Sequence, residues 1–263
     1  MYNMQILSSK DNINIKNTVK LKNSAKHRRK NRQFIAEGVR ICNDAICSNA
    51  KIDIFFATEK AMDKYPNDFD RIKSYADKTY LVTEDIFTLI SDTESPQGFL
   101  CVIKALDKTN EFDTINRNSR FIALENIQDP SNLGTILRTA EALGIDGVIM
   151  SSDCCDFFNP KVVRGSMGAV FRLPFVICDS VNDFLSEHGE LNSYAAVVTS
   201  DAQKITETDF ELPCVAVIGN EGNGLKSETI SMCNVKFTIP MNGRAESLNA
   251  STAASIIMWE MVK

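Results

Sequence analysis

Cys214-Val-Ala-Val-Ile-Gly-Asn-Glu-Gly-Asn-Gly-Leu-Lys-Ser227 decides the fold class. Its first five residues are apolar on both faces, as in a strand covered on both sides in a parallel sheet. A loop with three glycines follows, and a helix is predicted from about 225 to 232. The loop nearly matches a phosphate-binding P-loop, but the lysine comes one residue late, after Leu225. One residue turns a side chain by about 100° around a helix. Glu221 also puts a negative charge where phosphate would sit, and the chain has too few residues beyond the loop for the rest of a nucleotide triphosphatase. A glycine-rich loop with a carboxylate better suits a positively charged ligand, such as a sulfonium or an amine.

The same alternation continues outward. Strands are predicted at 120–125, 147–150, 174–177, 194–199, 213–218 and 235–239. Helices are predicted at about 131–143, 160–168, 180–188, 225–232 and 247–262, which together describe an α/β domain built on a parallel sheet. Two further segments carry chemistry-bearing residues.

In Leu124-Glu-Asn-Ile-Gln-Asp-Pro-Ser-Asn-Leu-Gly-Thr-Ile-Leu-Arg138, a strand gives way to a loop and a helix beginning near Ser131. The first N–H groups of that helix can meet an anion such as phosphate. Arg138 follows Gly134 by four residues and projects along the same face. A capped helix with a surface arginine fits this segment equally well.

In Ile239-Pro-Met-Asn-Gly-Arg-Ala-Glu-Ser-Leu-Asn-Ala-Ser-Thr-Ala-Ala-Ser-Ile-Ile257, a helix is expected to open at Ser247, a residue suited to capping. The small residues of its first turns allow close packing against a ligand or another segment. Ile256, Ile257, Trp259 and Met261 are expected to form a core face.

The first half reads as a smaller α/β/α unit, with strands at 33–36, 51–57, 79–82 and 98–104. Helices are expected through Asn49, over 66–77 and over 83–90. The polar stretch 107–119 reads as a linker between domains 1–106 and 120–263. Net charge is -5, yet eight of the 29 basic residues crowd into 16–32, where there is no acid. That concentration suits a polyanion, with Lys26, Arg28, Arg29, Lys30 and Arg32 as candidate RNA contacts. A solvated basic face or frayed tail remains open.

The eight cysteines include no Cys-x-x-Cys pair and there are two histidines, so a zinc site is not expected. The cysteines read as reduced, small apolar residues. With no apolar signal region and no run of about 20 apolar residues, a cytoplasmic chain away from membranes is expected.

The three segments resemble the signature motifs of the SpoU (TrmH-like) branch of the SPOUT RNA 2'-O-ribose methyltransferases. They supply Asn132-x-Gly134-x-x-x-Arg138, then Gly219-Asn-Glu-Gly222, then Pro240-Met-x-Gly243-x-x-x-Ser247-Leu248-Asn249. Asn159-Pro-Lys-Val-Val-Arg-Gly-Ser-Met-Gly-Ala169 resembles the family's middle segment. Ala250 departs from the valine of many relatives. The first hundred residues, with Phe34-Ile-Ala-Glu-Gly38, look like the N-terminal substrate-binding (L30e-like) domain of the ribosomal-RNA members.

The resemblance implies a parallel-sheet domain with a deep trefoil knot, S-adenosyl-L-methionine as cofactor, no metal, and a homodimer. It implies ribosomal RNA as substrate, with transfer RNA or a non-catalytic RNA-binding role as alternatives. Thr199, Gly219, Asn220, Gly222, Ile239, Met241 and Leu248 would bind the cofactor. Asn132, Arg138, Glu221, Ser247 and Asn249 would form the catalytic set. Arginine is almost always protonated, so Arg138 is expected to polarise the ribose hydroxyl rather than to act as a free base.

Overall fold

A computed structural model describes residues 6–106, 112 and 115–263. Part of the expected linker, 107–111 with 113 and 114, therefore lies outside the described residues. The chain divides into two compact units. One holds the described residues through Leu106 together with Asp156–Phe171; the other holds those from Phe112 to Cys155 together with Arg172–Lys263.

The first unit begins with β1 (Ile6–Leu7), α1 (Ile13–Asn23), α2 (Ala25–Asn31), β2 (Gln33–Glu37) and α3 (Val39–Cys47). It continues with β3 (Ile52–Ala57), α4 (Glu59–Lys64), α5 (Pro66–Tyr75), β4 (Ala76–Val82), α6 (Glu84–Ile90) and β5 (Phe99–Lys104). The five strands are ordered β1-β4-β3-β5-β2, with β5 antiparallel to both neighbours. Ile35, Phe56, Leu100 and Val102 fill one core beneath the helices. Thr83 caps α6 as expected, accepting from Ile86 N, a contact worth about 0.5–2 kcal/mol.

The basic segment is not a frayed tail. It forms α1 and α2, joined at Ser24, whose side chain caps α2 by accepting from His27 N. Helix α4 was not expected; Thr58 caps it, accepting from Ala61 N.

The second unit contains β6 (Arg120–Leu124), α7 (Pro130–Leu143) and β7 (Gly147–Ser151). The chain then gives α8 (Pro160–Gly165) to the first unit, and α9 (Ala169–Arg172) leads back. The expected single helix over 160–168 is interrupted, because Met167 and Gly168 both take positive φ, at 50° and 90°. The rest comprises β8 (Phe175–Cys178), α10 (Val181–Glu187), β9 (Asn192–Ala196), β10 (Gln203–Lys204), β11 (Cys214–Ile218), α11 (Ser227–Met232), β12 (Val235–Thr238) and α12 (Ala250–Val262).

All neighbours in the seven-stranded sheet, ordered β10-β12-β9-β11-β6-β7-β8, are parallel. Parallel pairing places the loops that leave β6, β9, β11 and β12 at one edge of the sheet, where ligands collect in open α/β sheets.

Two expectations for the last helix need correction. Ser247 does not open it. Asn249 is the cap, its Oδ1 accepting from Ser251 N at 3.0 Å and Thr252 N at 3.2 Å. Ile257, Met258 and Met261 face the core, whereas Trp259 is 57% exposed.

Candidate functional site

The loop after β11 closes on itself. Asn220 and Gly224 exchange backbone hydrogen bonds of 3.0 and 2.9 Å. The Asn220 side chain locks the turn, accepting from Gly222 N and Asn223 N while donating to Asn126 O at 2.8 Å. A Cβ on Gly219 would lie 2.2 Å from the Gly224 carbonyl carbon, so only glycine lets the two strands of the loop come this close.

Glu221 reaches from this loop to the start of α7. Its Oε1 accepts from Asp129 N at 3.1 Å and Asn132 Nδ2 at 3.0 Å, and its Oε2 accepts from Gln128 N at 3.1 Å. Burial raises the Glu221 pKa, but the bonds from Asn132, Asp129 and Gln128 outweigh it and hold the carboxyl below its ordinary value. Glu221 thus binds the two N–H groups that precede α7, while the N-cap Asp129 accepts from Ser131 N through its own Oδ1. The carboxylate thereby ties the glycine loop to the segment that leads into α7.

Asn132 passes the connection on. Its Oδ1 accepts from Asn249 Nδ2 at 2.9 Å, and Asn249 caps α12. A single line of side chains, Glu221 to Asn132 to Asn249, thus joins the three motif segments. Each amide uses its oxygen and nitrogen in opposite roles, so the direction of donation is fixed along the line.

Beside this line lies a cavity of about 460 Å³, within the usual range for small-molecule sites of about 300–1,000 Å³. Thr199, Gly219, Asn220, Gly222, Ile239, Met241 and Leu248, the residues expected to bind cofactor, all line it. Glu221 and Ser247 do so as well, together with Ala250, Ala253 and Ile257 from the small-residue face of α12.

Arg138 is not among the lining residues. It stands exposed on α7, with no hydrogen bond or ion pair among the described residues. α7 packs against α12, and Ser255 Oγ meets Thr139 Oγ1 at 3.4 Å.

Glu125 was missed by the sequence reading. It is 2% exposed, accepts from Lys226 N at 2.8 Å and Thr229 Oγ1 at 2.6 Å, and so anchors the start of α11 beside the glycine loop. Its only sequence signal is an acid at the very end of a buried strand.

The basic segment separates into two groups. Lys26, Arg29, Lys30 and Arg32 are exposed. Arg28 is not available to RNA, which removes it from the expected contacts. It is 4% exposed, its Nε donates to Asp156 Oδ2 at 2.6 Å, and its Nη1 donates to the carbonyls of Leu21 and Lys22. The exposed charges act on His27, whose pKa is lowered by burial and then by Lys20 and Lys30.

Among the described residues no helix is long and apolar enough to cross a membrane. Residues 119–259 match the SpoU rRNA methylase family, and residues 12–101 match the MRM3-like substrate-binding domain. An uncharacterized tRNA/rRNA methyltransferase of Synechocystis is 30% identical, over 89% of this chain and 85% of that protein. The 23S rRNA (guanosine(2553)-2'-O)-methyltransferase of Bacillus subtilis is 27% identical over 98% of this chain and 99% of that protein. The AdoMet-bound rRNA methyltransferase of Sinorhizobium meliloti superposes with a TM-score of 0.87 at 26% identity, covering 98% of this chain and 97% of the other.

Proposed function

The chain belongs to the SpoU rRNA methylase family, and on that footing we propose how its residues perform the family's reaction and on which RNA. It is an S-adenosylmethionine-dependent RNA ribose 2'-O-methyltransferase. We read its substrate as ribosomal RNA, because the match to the substrate-binding domain and the relative from Bacillus subtilis both span the N-terminal half.

The observation that carries the site assignment is the line Glu221–Asn132–Asn249 at the edge of a glycine-walled cavity. The cofactor fits the residues present: apolar Ile239, Met241 and Leu248 share the wall with polar Thr199 and Asn220, and Gly219 lets the loop at that wall close tightly on Gly224. Thr199, Gly219, Asn220, Gly222, Ile239, Met241 and Leu248 would hold it. When bound, S-adenosylmethionine supplies an electrophilic methyl group on a sulfonium.

The 2'-hydroxyl must be held in line with that methyl group and must lose its proton as the new bond forms. Asn132 and Asn249 fix the relative positions of the loops around the cavity. Ser247 is exposed and lines the cavity, which supports reading it as the residue that contacts ribose. Arg138 supplies a fixed positive charge that lowers the hydroxyl pKa and stabilises developing alkoxide. Its guanidinium, unpaired among the described residues, needs no ion pair broken to do so.

Lys26, Arg29, Lys30 and Arg32 bind RNA phosphates. A homodimer accords with the exposed Trp259 on α12 and the exposed Arg138 on the neighbouring α7. The trefoil knot accords with the return of α12 to pack on α7, earlier in the chain. The division at the 107–119 linker and a cytoplasmic location complete the reading.

The test is methyl transfer from radiolabelled S-adenosylmethionine to unmodified 23S ribosomal RNA transcripts and to transfer RNA, with mapping of 2'-O-methyl positions. Label at one ribosomal RNA position is expected. Label in transfer RNA alone would overturn the substrate assignment.

A further inference from the structure

The first unit contains a cavity of its own, about 370 Å³, whose walls include Arg40, Ile41, Ser95, Gln97, Arg164 and Met167. We propose that this pocket captures a single unpaired nucleotide of the RNA substrate, gripping it apart from the reacting ribose. The proposal rests on the RNA-methylating function argued above.

The pocket is preformed. Its floor begins at the turn from β2 to α3, where Gly38 has φ 108°. Gln97 Oε1 accepts from Val39 N at 3.0 Å and fixes the start of α3. The loop 91–97 is pinned by Glu37, whose Oε1 accepts from Ser91 Oγ and Thr93 Oγ1, each at 2.5 Å, and whose Oε2 accepts from Asp92 N at 2.8 Å. Arg164 Nη1 donates to Asp92 Oδ2 at 2.8 Å, joining the segment 156–171 to that loop within the same unit. Walls held this way do not have to be ordered when a ligand enters.

The chemistry of the walls suits one nucleotide. Ile41 and Met167 offer apolar surface to the face of a base. Ser95 and Gln97 offer polar atoms to its edge. Arg40 is exposed, with no hydrogen bond or ion pair among the described residues, so its guanidinium is available for the attached phosphate.

Glu37 and Asp44 also line the cavity, so its formal charge is balanced rather than strongly positive. That balance disfavours a bare polyphosphate and favours a base with N–H groups, accompanied by one phosphate at the rim. The volume excludes a duplex. RNA must therefore present an unstacked nucleotide, the form in which single-stranded loops and bulges are read. Residues 12–101, the part matching a substrate-binding domain, do not complete the pocket alone. Arg164 and Met167 come from the methylase-family match.

The experiment uses the full chain, in vitro transcribed 23S ribosomal RNA and free nucleoside monophosphates as probes. Ser95 and Arg40 are exposed, so Ser95→Trp plugs the pocket and Arg40→Ala removes the phosphate contact without cutting into the core. Thermal melting and S-adenosylhomocysteine affinity serve as controls for the fold and should be unchanged. Each variant is expected to weaken RNA binding by roughly 10-fold to 100-fold, the loss that follows from the contacts of one captured nucleotide. Wild-type methylation with unchanged RNA affinity in both variants overturns the pocket proposal alone. Micromolar binding of a free nucleoside monophosphate, with RNA binding intact in Ser95→Trp, assigns the pocket to a soluble nucleotide and also overturns it. A wild-type chain that neither binds nor methylates ribosomal RNA overturns the functional reading as well.

Discussion

Replacing Glu221 by glutamine separates two roles for its carboxylate. It accepts three bonds near 3 Å, from Gln128 N, Asp129 N and Asn132 Nδ2, and a long one of 3.5 Å from Asn220 Nδ2. Glutamine has one oxygen and one NH2 group, so either orientation sets a donor against a donor. The cheaper orientation keeps the Asp129 and Asn132 bonds and loses the one from Gln128, together with the long Asn220 contact. Hydrogen bonds to charged groups contribute about 1.5–3 kcal/mol, and the partial exposure of this site favours the lower end. If the whole loss falls on the loop geometry that binds cofactor, affinity drops by about 10-fold. Glu221→Ala loses every one of these bonds and should drop further.

The assay is calorimetric titration of Glu221→Gln with S-adenosylmethionine and, separately, with S-adenosylhomocysteine, which lacks the sulfonium charge. Glu221 as a tie between loops predicts equal loss for both ligands. Loss for S-adenosylmethionine alone would show a counter-ion for the sulfonium and refute the argument, as would full affinity in Glu221→Ala. The carboxyl is held below its ordinary value, so its tie is fully formed above about pH 4.3 and is lost as pH falls through the lowered folded value. Wild-type affinity should therefore show no contribution from Glu221 titration between about pH 5 and 8, and Glu221→Gln should lack the acid limb.

Three further outcomes are expected. Arg138→Ala should slow single-turnover methyl transfer by roughly 10²–10⁴-fold while leaving S-adenosylhomocysteine affinity intact, since Arg138 does not line the cavity; Arg138→Lys should not rescue it, and a rate above about a third of wild type in Arg138→Ala would sink the assignment. Changing Lys26, Arg29 and Lys30 together to alanine should flatten the log–log salt dependence of RNA binding by about 0.7–0.9 per lost phosphate contact, measured by filter binding across salt concentrations. Arg28→Met should instead lower stability in urea titration by about 3 kcal/mol, the lower end for breaking a buried pair, because Asp156 is only partly buried and keeps its bond from Phe158 N; an unchanged midpoint would mean that the ion pair contributes nothing.

Much of this was legible because parallel strands leave a strong mark. Cys214–Ile218 is apolar at every position and is fully enclosed; its reading as a central strand needed only the pattern. The motif segments were equally legible, and every residue expected to bind cofactor lines one cavity. Arg28 was not legible. Among eight basic residues in 16–32 nothing local distinguishes it, since what removes it from solvent is Asp156, 128 positions away. Trp259 failed for the opposite reason: it sits in an apolar run, and α12 buries Met258 and Met261 while leaving it exposed. Periodicity gives the width of an apolar stripe, but the partner surface decides where it stops.

The line Glu221–Asn132–Asn249 shows what kind of information a motif carries and what kind it lacks. Each residue was singled out within its own segment, but nothing in a segment says that its polar atoms are spoken for by the others. Asn132 must donate to a carboxylate on one side and accept from an amide on the other, which asparagine can do and aspartate cannot. Asn249 must donate to Asn132 while its oxygen caps a helix. These demands fix side-chain types at positions 89 and 117 residues from Asn132. They also account for a cavity lined from several separate loops: its shape depends on holding those loops in one arrangement, and the polar side chains are used for that. The charge that acts on substrate can then come from a residue outside this network. Arg138 has that position, on the same helix as Asn132 but six residues along and free of partners among the described residues.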